Sequence, residues 1–220
     1  MNYYKKTEDY WNTVFDGINV RLLESHKSGH EVLDKALDWL SEDASKFLDF
    51  GSGSGAVLAY LAKRKPGEYY GIDVSPSAID LANRLFVHND LKTGLFKVGS
   101  IEALNEFSSN TFDAVILSNI LDNLKESDAL DVLSHTHRLL KASGKLFIKL
   151  NPYFDPEALD RSQERLDDDF YVESSGLYLW NKTDQFWINQ LEKDYIIVEQ
   201  TKLYFNNDDY NRIFLCIKKS

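Results

Sequence analysis

Residues 47–55 read Phe-Leu-Asp-Phe-Gly-Ser-Gly-Ser-Gly, and no other stretch limits the fold of this chain so strongly. A short apolar run, Phe47, Leu48 and Phe50 broken only by Asp49, leads into Gly51, Gly53 and Gly55. Ala56, Val57, Leu58, Leu61 and Ala62 then recur at helical spacing. Strand, glycine turn and helix in that order put three residues without a Cβ where the backbone takes unusual dihedrals and a ligand comes close, the pattern of a nucleotide cradle.

From Phe47 to about Leu150 short apolar runs alternate with helical patterns, which is how an open parallel sheet with helices on both faces is written in sequence. Strands are expected over 46–50, 69–73, 95–98, 112–117 and 145–150. Ser75-Pro76 supplies an N-cap and a proline at the first helical position, ahead of a face made by Ala78, Ile79, Ala82, Leu85 and Phe86. A further helix starts near Ser127-Asp128, shows Leu130, Leu133, His137 and Leu140, and is expected to stop at Gly144.

The flanks differ in character. Residues 1–45 read as two helices, the first carrying Tyr3, Tyr4, Tyr10, Trp11, Val14 and Phe15, the second Val32, Leu33, Ala36, Leu37 and Leu40. Residues 151–183 hold Asn151-Pro152, Pro156, the acidic run 167–169 and several aromatics, and are expected to be an insertion containing a hairpin of Tyr171–Glu173 against Leu177–Trp180. Thr183 is placed to cap a helix over 184–193. Two apolar runs, 195–204 and 211–218, joined by Asn206-Asn207-Asp208-Asp209, then read as an antiparallel hairpin closing the sheet. The expected division is an N-terminal helical lid over 1–45 and a core domain over 46–220, with 151–183 as a cap over the acceptor.

Composition narrows the function classes. At 220 residues and 43% hydrophobic the chain can bury one substantial core. A net charge of −10 and a lack of clustered lysine and arginine argue against a nucleic-acid partner. The single cysteine, Cys216, lies in an apolar run, excludes an internal disulfide and fits a reducing compartment. With no apolar leader and no stretch of about 18 apolar residues, a cytoplasmic location away from membranes is expected. His135 and His137 are two apart and point to different helix faces, and no other histidine has a ligand at metal spacing, so no metal site is expected.

Two carboxylates bracket the glycines. Asp73, at the end of the second strand, stands where a carboxylate accepts hydrogen bonds from a ribose diol, and Asp49 is placed to meet a positive group near the helix N-terminus. The loop alone is ambiguous, since Gly51-Ser52-Gly53-Ser54-Gly55-Ala56 also satisfies the Gly-x-Gly-x-x-Ala dinucleotide fingerprint.

The surroundings discriminate. Asp49 to Gly55 resembles motif I of the class I methyltransferases that use S-adenosylmethionine; Gly71-Ile72-Asp73-Val74-Ser75 resembles motif II, Val98-Gly99-Ser100-Ile101 motif III, and Phe112 to Asn119 motif IV. Leu139 to Leu146 resembles the segment entering the fifth strand. The resemblance spans roughly 45–150 and implies a three-layer α/β Rossmann-like fold with a seven-stranded mixed sheet, its last strand antiparallel. It implies that Gly51, Ser52 and Gly53 contact the methionine portion of the cofactor, Asp73 and Val74 the ribose and adenine, and Ser100 and Ile101 the adenine edge, with Ser118 or Asn119 near the methyl group. In relatives the N-terminal helices form a lid, which makes Trp11 a candidate cation–π partner of the sulfonium.

The chain departs from the family twice. Ser100 stands where an aspartate is common, and Leu121-Asp122-Asn123-Leu124 lacks the histidine that many relatives carry, leaving Asp122 as the candidate base. The expected activity is in-line methyl transfer from S-adenosylmethionine to a small or medium-sized acceptor, with apolar or aromatic parts. Two rivals stay open: a catalytically silent adenosylmethionine-binding protein, for which the missing histidine argues, and an NAD-dependent oxidoreductase, against which the terminal hairpin argues. Oligomeric state and the acceptor atom are not encoded in any motif.

Overall fold

A computed structural model describes residues 4–91, 94–206 and 209–220. Five parallel strands, β1 (Lys46–Phe50), β2 (Glu68–Asp73), β3 (Gly94–Val98), β4 (Phe112–Ser118) and β5 (Leu140–Leu150), join β9 (Tyr195–Tyr204) and β10 (Tyr210–Lys218) in one sheet. The order is β3-β2-β1-β4-β5-β10-β9, and β10 runs antiparallel to both of its neighbours. The expected seven-stranded mixed sheet is therefore present, with the last strand inserted between β5 and β9.

Side-chain alternation decides which layer each strand residue joins. Leu48, Phe50, Val115, Leu117, Leu146 and Ile148 point to one face, against α5 (Glu126–Leu139) and α7 (Asp184–Leu191). Phe47, Ala114, Ile116 and Phe147 point to the other, against α2 (Glu31–Ser41), α3 (Ala56–Arg64) and α4 (Pro76–His88). Cys216 is fully buried in the first layer, a packing residue. The helix starts follow the capping signals: the Ser75 hydroxyl accepts from the Ala78 amide at 3.1 Å and the Thr183 hydroxyl from the Phe186 amide at 3.2 Å.

One helix end differs from the expectation. α5 stops at Leu139, not at Gly144, because Leu140 turns extended and pairs with Phe112. Both Leu139 and Leu140 are fully buried, and Lys218 Nζ caps the carbonyls of His137 and Leu140. Residues between Leu140 and Lys145 then form an irregularity in the β4–β5 ladder, with Ser143 at φ +58°.

Residues 151–183 fold as α6 (Pro156–Ser162) and a second antiparallel sheet, β6 (Glu164–Asp167), β7 (Phe170–Val172) and β8 (Tyr178–Trp180). The β7–β8 pair matches the expected hairpin. α6 and β6 lay outside the expectation, although Asp155-Pro156 carries a cap signal: the Asp155 carboxylate accepts from the Glu157 amide at 2.9 Å. Trp180 and Trp187 are buried in the first core layer with Phe186 edge-on to both, so they pack the core and do not wall the cavity. Arg212 on β10 is buried and ties the insertion down, donating to the carbonyls of Asn151 and Lys182 and to the Asp184 carboxylate at 2.7, 2.8 and 3.0 Å.

α1 (Lys5–Phe15) lies apart from the core layers, with Thr7 its one buried residue. Tyr3, and Asn207 and Asp208 of the expected turn, fall outside the described residues. No described helix is long and apolar enough to cross a membrane, and the described residues form no cluster able to hold a metal.

Candidate functional site

A cavity of about 560 Å³ opens over the C-terminal ends of β1, β2 and β4, where open α/β sheets bind ligands. Its rim begins at the glycine turn. Gly51, Gly53 and Gly55 all have positive φ, at +79°, +49° and +72°. The amides of Gly51 and Ser52 both donate to the Ile72 carbonyl, at 2.8 and 3.0 Å, which locks the turn to β2. A Cβ on Gly53 would stand 3.2 Å from the ring of Phe15, so α1 is laid directly on the turn.

Asp73 joins turn and cavity. One carboxylate oxygen accepts from the Gly53 amide at 2.8 Å and the other from the Ser75 amide at 2.9 Å. Burial raises its pKa and these backbone bonds oppose the rise. With backbone bonds from Gly53, Ser75 and Val74, the carboxylate still has a lone pair to spare, so Asp73 can hold the loop and also accept from a ligand hydroxyl. Val74 lines the same wall, and beyond β3 Ser100 and Ile101 continue it. The Ser100 hydroxyl donates to Glu102, another wall residue, so this carboxylate brings an acidic group to the end of the cavity where position 100 lacks one.

The tip of β4 forms the floor. Ser118 and Asn119 line it, and Asn119 sits at φ +53°. A chain of amides fixes the Asn119 side chain: its Nδ2 donates to Asn151 Oδ1 at 3.0 Å, and Asn151 Nδ2 donates to Asn123 Oδ1 at 3.2 Å. Asn119 Oδ1 is left buried without a hydrogen-bond partner, as is the hydroxyl of Ser52. Lys149 completes the floor from β5. Neither its role nor that of His135, which lines the α5 side, was visible in the sequence; both depend on which strands and helices the sheet order brings together.

α1 roofs the cavity with Tyr4, Thr7, Trp11 and Phe15. Trp11 and Phe15 stack with ring centroids 5.5 Å apart. Asn12 Oδ1 accepts from the Ser75 hydroxyl at 2.6 Å and from the Ser77 amide at 3.3 Å. At the other end the Tyr4 hydroxyl donates to Asp128 at 2.5 Å, and Thr7 Oγ1 donates to the Gly176 carbonyl of the insertion at 2.9 Å.

Three expected site residues do not face the cavity. Gly55 packs α3 against its neighbours, since a Cβ there would meet Ala82 at 2.9 Å and Phe96 at 3.0 Å. Asp49 is buried beneath the turn with Oδ1 unpartnered, and desolvation, then the Asp73 charge, pushes its pKa up to about 8 against the pull of Lys149. Asp122 is fully buried, accepts from the Asn151 amide at 2.6 Å, and has its pKa raised to about 6 chiefly by desolvation. Its short 3-10 turn (Leu121–Asn123) directs it into the protein, so it lacks the access that a base needs.

Comparison with known proteins bears on this geometry. Residues 48–148 match the family model described as a methyltransferase domain. Human EEF1A lysine methyltransferase 2 is 28% identical over 180 residues, an alignment covering 72% of this chain and 73% of that protein. A SAM-dependent methyltransferase structure from Methanosarcina mazei superposes with a TM-score of 0.70 at 18% identity, covering 83% of this chain and 95% of that one. Magnesium protoporphyrin IX methyltransferase from Synechocystis, solved with bound SAM, superposes with a TM-score of 0.66 at 16% identity, covering 100% of this chain and 98% of that one.

Proposed function

Because this chain belongs to the class I methyltransferases, which use S-adenosylmethionine, we propose that it methylates a basic nitrogen on a small or medium-sized acceptor, either a free amine or the tip of a lysine side chain. The observation that carries the choice of atom is the buried, unpartnered Oδ1 of Asn119 on the cavity floor. An amide oxygen only accepts, so the group it is built to meet is a donor, and an amine N–H satisfies it. Asp128 and Asp131 on the α5 wall supply negative charge that attracts a cationic acceptor. The human relative's name makes it a lysine methyltransferase, which agrees with a nitrogen acceptor.

The residues present fit the cofactor. The Gly51–Gly53 turn allows close approach, Asp73 has a lone pair to spare for a ribose diol, and the aromatic pair Trp11 and Phe15 covers the cavity where a sulfonium gains cation–π attraction. When bound, the sulfonium supplies an activated methyl group and a good leaving group. What remains for the chain is positioning. Asn119 orients the nitrogen lone pair along the transfer axis, the amide chain through Asn151 and Asn123 holds Asn119 rigid, and α1 excludes water. The ammonium drawn to the site gives its proton to solvent before transfer, and the resulting free amine attacks without a side-chain base, which accords with the burial of Asp122 away from the cavity.

The test is transfer of a labelled methyl group from S-adenosylmethionine to a panel of amines, a lysine-containing peptide, phenols and thiols. Label on nitrogen acceptors alone is expected, with Asn119→Leu losing transfer while retaining S-adenosylhomocysteine. Label on oxygen or sulfur alone contradicts the nitrogen reading, and adenosyl-ligand binding without transfer to any of them favours the silent binding protein.

A further inference from the structure

Among the described residues that line the cavity, Lys149 is the one lysine or arginine; the charged wall residues Asp73, Glu102, Asp128 and Asp131 are acids. His135, the remaining basic group, lies on α5, where Asp131 is 3.7 Å from its Nε2 and Arg138 contacts its Nδ1. Lys149 stands at the end of β5 in register with Ser118, and its carbonyl accepts from the Asn119 amide at 2.7 Å. The cation is thus a direct neighbour, across the ladder, of the residue that meets the acceptor nitrogen. Its Nζ makes no hydrogen bond or ion pair with any described residue. Asp49 and Asp122, the carboxylates whose charge reaches it, form no ion pair with it, and burial makes both hold a proton more tightly than an ordinary carboxyl. A cation left unpaired in a partly desolvated wall is costly, and the cost is recovered when a ligand brings an anion to it.

Cofactor and acceptor share this cavity. The cofactor's carboxylate belongs to its methionine portion, which the motif I resemblance puts at the turn after β1, with the methyl group at the tip of β4. In the sheet order β5 comes after β4, on the far side from β2 and β3, so Lys149 stands on the acceptor's side. We propose that the acceptor is a free amine that also carries an anion, a carboxylate or a phosphate-type group, and that Lys149 binds this anion while Asn119 meets the nitrogen. The inference rests on the nitrogen reading above and narrows it. The tip of a lysine side chain brings no anion and would leave Lys149 unpaired, whereas an acceptor with both charges satisfies the floor at two neighbouring points. Asp128 and Asp131 draw the ammonium and repel the anion, so such an acceptor enters in one orientation, anion toward β5.

The experiment is labelled-methyl transfer by the full chain to matched amines: 4-aminobutyrate and 3-aminopropylphosphonate beside propylamine, phenylalanine beside 2-phenylethylamine, and a lysine-containing peptide. The wild type is expected to favour the anion-bearing amines in kcat/KM, and the carboxylate and phosphonate arms tell which anion it takes. Lys149→Met is expected to lower the ratio of kcat/KM for anion-bearing over anion-free amines about 10- to 100-fold, the range of a lost charge-assisted bond, through KM and with S-adenosylhomocysteine still bound. Lys149→Arg should keep most of the wild-type preference, which separates charge from folding. A wild type that favours the anion-free amines or the peptide, or a preference for the anion that survives in Lys149→Met, overturns the assignment and leaves the nitrogen reading standing. Label on none of these nitrogen acceptors contradicts the nitrogen reading itself.

Discussion

Asp73 holds two backbone amides while lining the cavity, so its loss acts on the loop and on the ligand together. Asp73→Ala is expected to weaken S-adenosylmethionine binding by about 1–3 kcal/mol, measured by calorimetry; unchanged affinity would remove the residue from the site. Asp49 gives a pH signature. Its pKa rises from 3.8 to about 8 on folding, so the native state holds a proton that the unfolded chain releases. Its contribution is fully present below about pH 4 and is lost as pH rises toward about 8. Asp49→Asn should flatten the fall of thermal stability over that window, and a variant whose pH profile parallels the wild type would contradict the buried, protonated carboxyl. At this scale the glycine turn and Asp73 were legible because each sits in a short motif of adjacent residues, 49–55 and 71–75. Lys149 was not, since its place depends on the pairing of β5 with β4, Ser118 opposite Lys149, in a ladder that no local pattern encodes. Gly55 shows the converse: the motif names it, yet only the contact with Ala82 and Phe96 shows that it packs a helix.

α1 is the element whose attachment depends on a few polar contacts, because Thr7 is its single buried residue. Asn12 bonds the capping residue Ser75 and the Ser77 amide, joining the roof to the start of α4. Asn12→Ala should raise amide hydrogen exchange throughout α1, with local opening easier by about 1 kcal/mol, while the exchange of β1 and β4 stays unchanged. Exchange in α1 equal to the wild type would mean that the Thr7–Gly176 bond, the Tyr4–Asp128 bond and the contact of Phe15 with the Gly53 turn hold the roof without Asn12. The boundaries of α4 and α7 were legible from Ser75-Pro76 and Thr183, whose caps act within three residues. The end of α5 was not: Gly144 looks like a stop, but the burial of Leu139 and Leu140 and their pairing beside β4 end the helix earlier. A tertiary contact overrides a local terminator there.

Across the whole molecule, the terminal hairpin, the insertion and the cavity floor meet at Arg212. Its guanidinium joins β10 to Asn151, Lys182 and Asp184, and Asn151 carries the amide chain that orients Asn119. Arg212→Met should destabilise the fold by about 1–3 kcal/mol, read from denaturant unfolding, since the carbonyls of Asn151 and Lys182 lose their donor while the partly exposed Asp184 carboxylate is rehydrated. A loss below about 1 kcal/mol would contradict a shared anchor. The seven-stranded architecture was legible from the alternation of short apolar runs and helices, whereas the three-stranded sheet of the insertion was legible only in its β7–β8 turn. β6 is exposed along its length and so carries no apolar pattern to read. The central claim is that the glycine turn and the cavity beside it form the cofactor site. Its most direct test is calorimetry of the wild type and Gly53→Val with S-adenosylmethionine, S-adenosylhomocysteine and NAD. The account predicts binding of both adenosyl ligands and no NAD by the wild type, and a folded Gly53→Val that binds none, because the new side chain meets φ +49° and Phe15 at 3.2 Å. Wild-type binding of NAD alone, or a Gly53→Val variant with undiminished affinity, would contradict it.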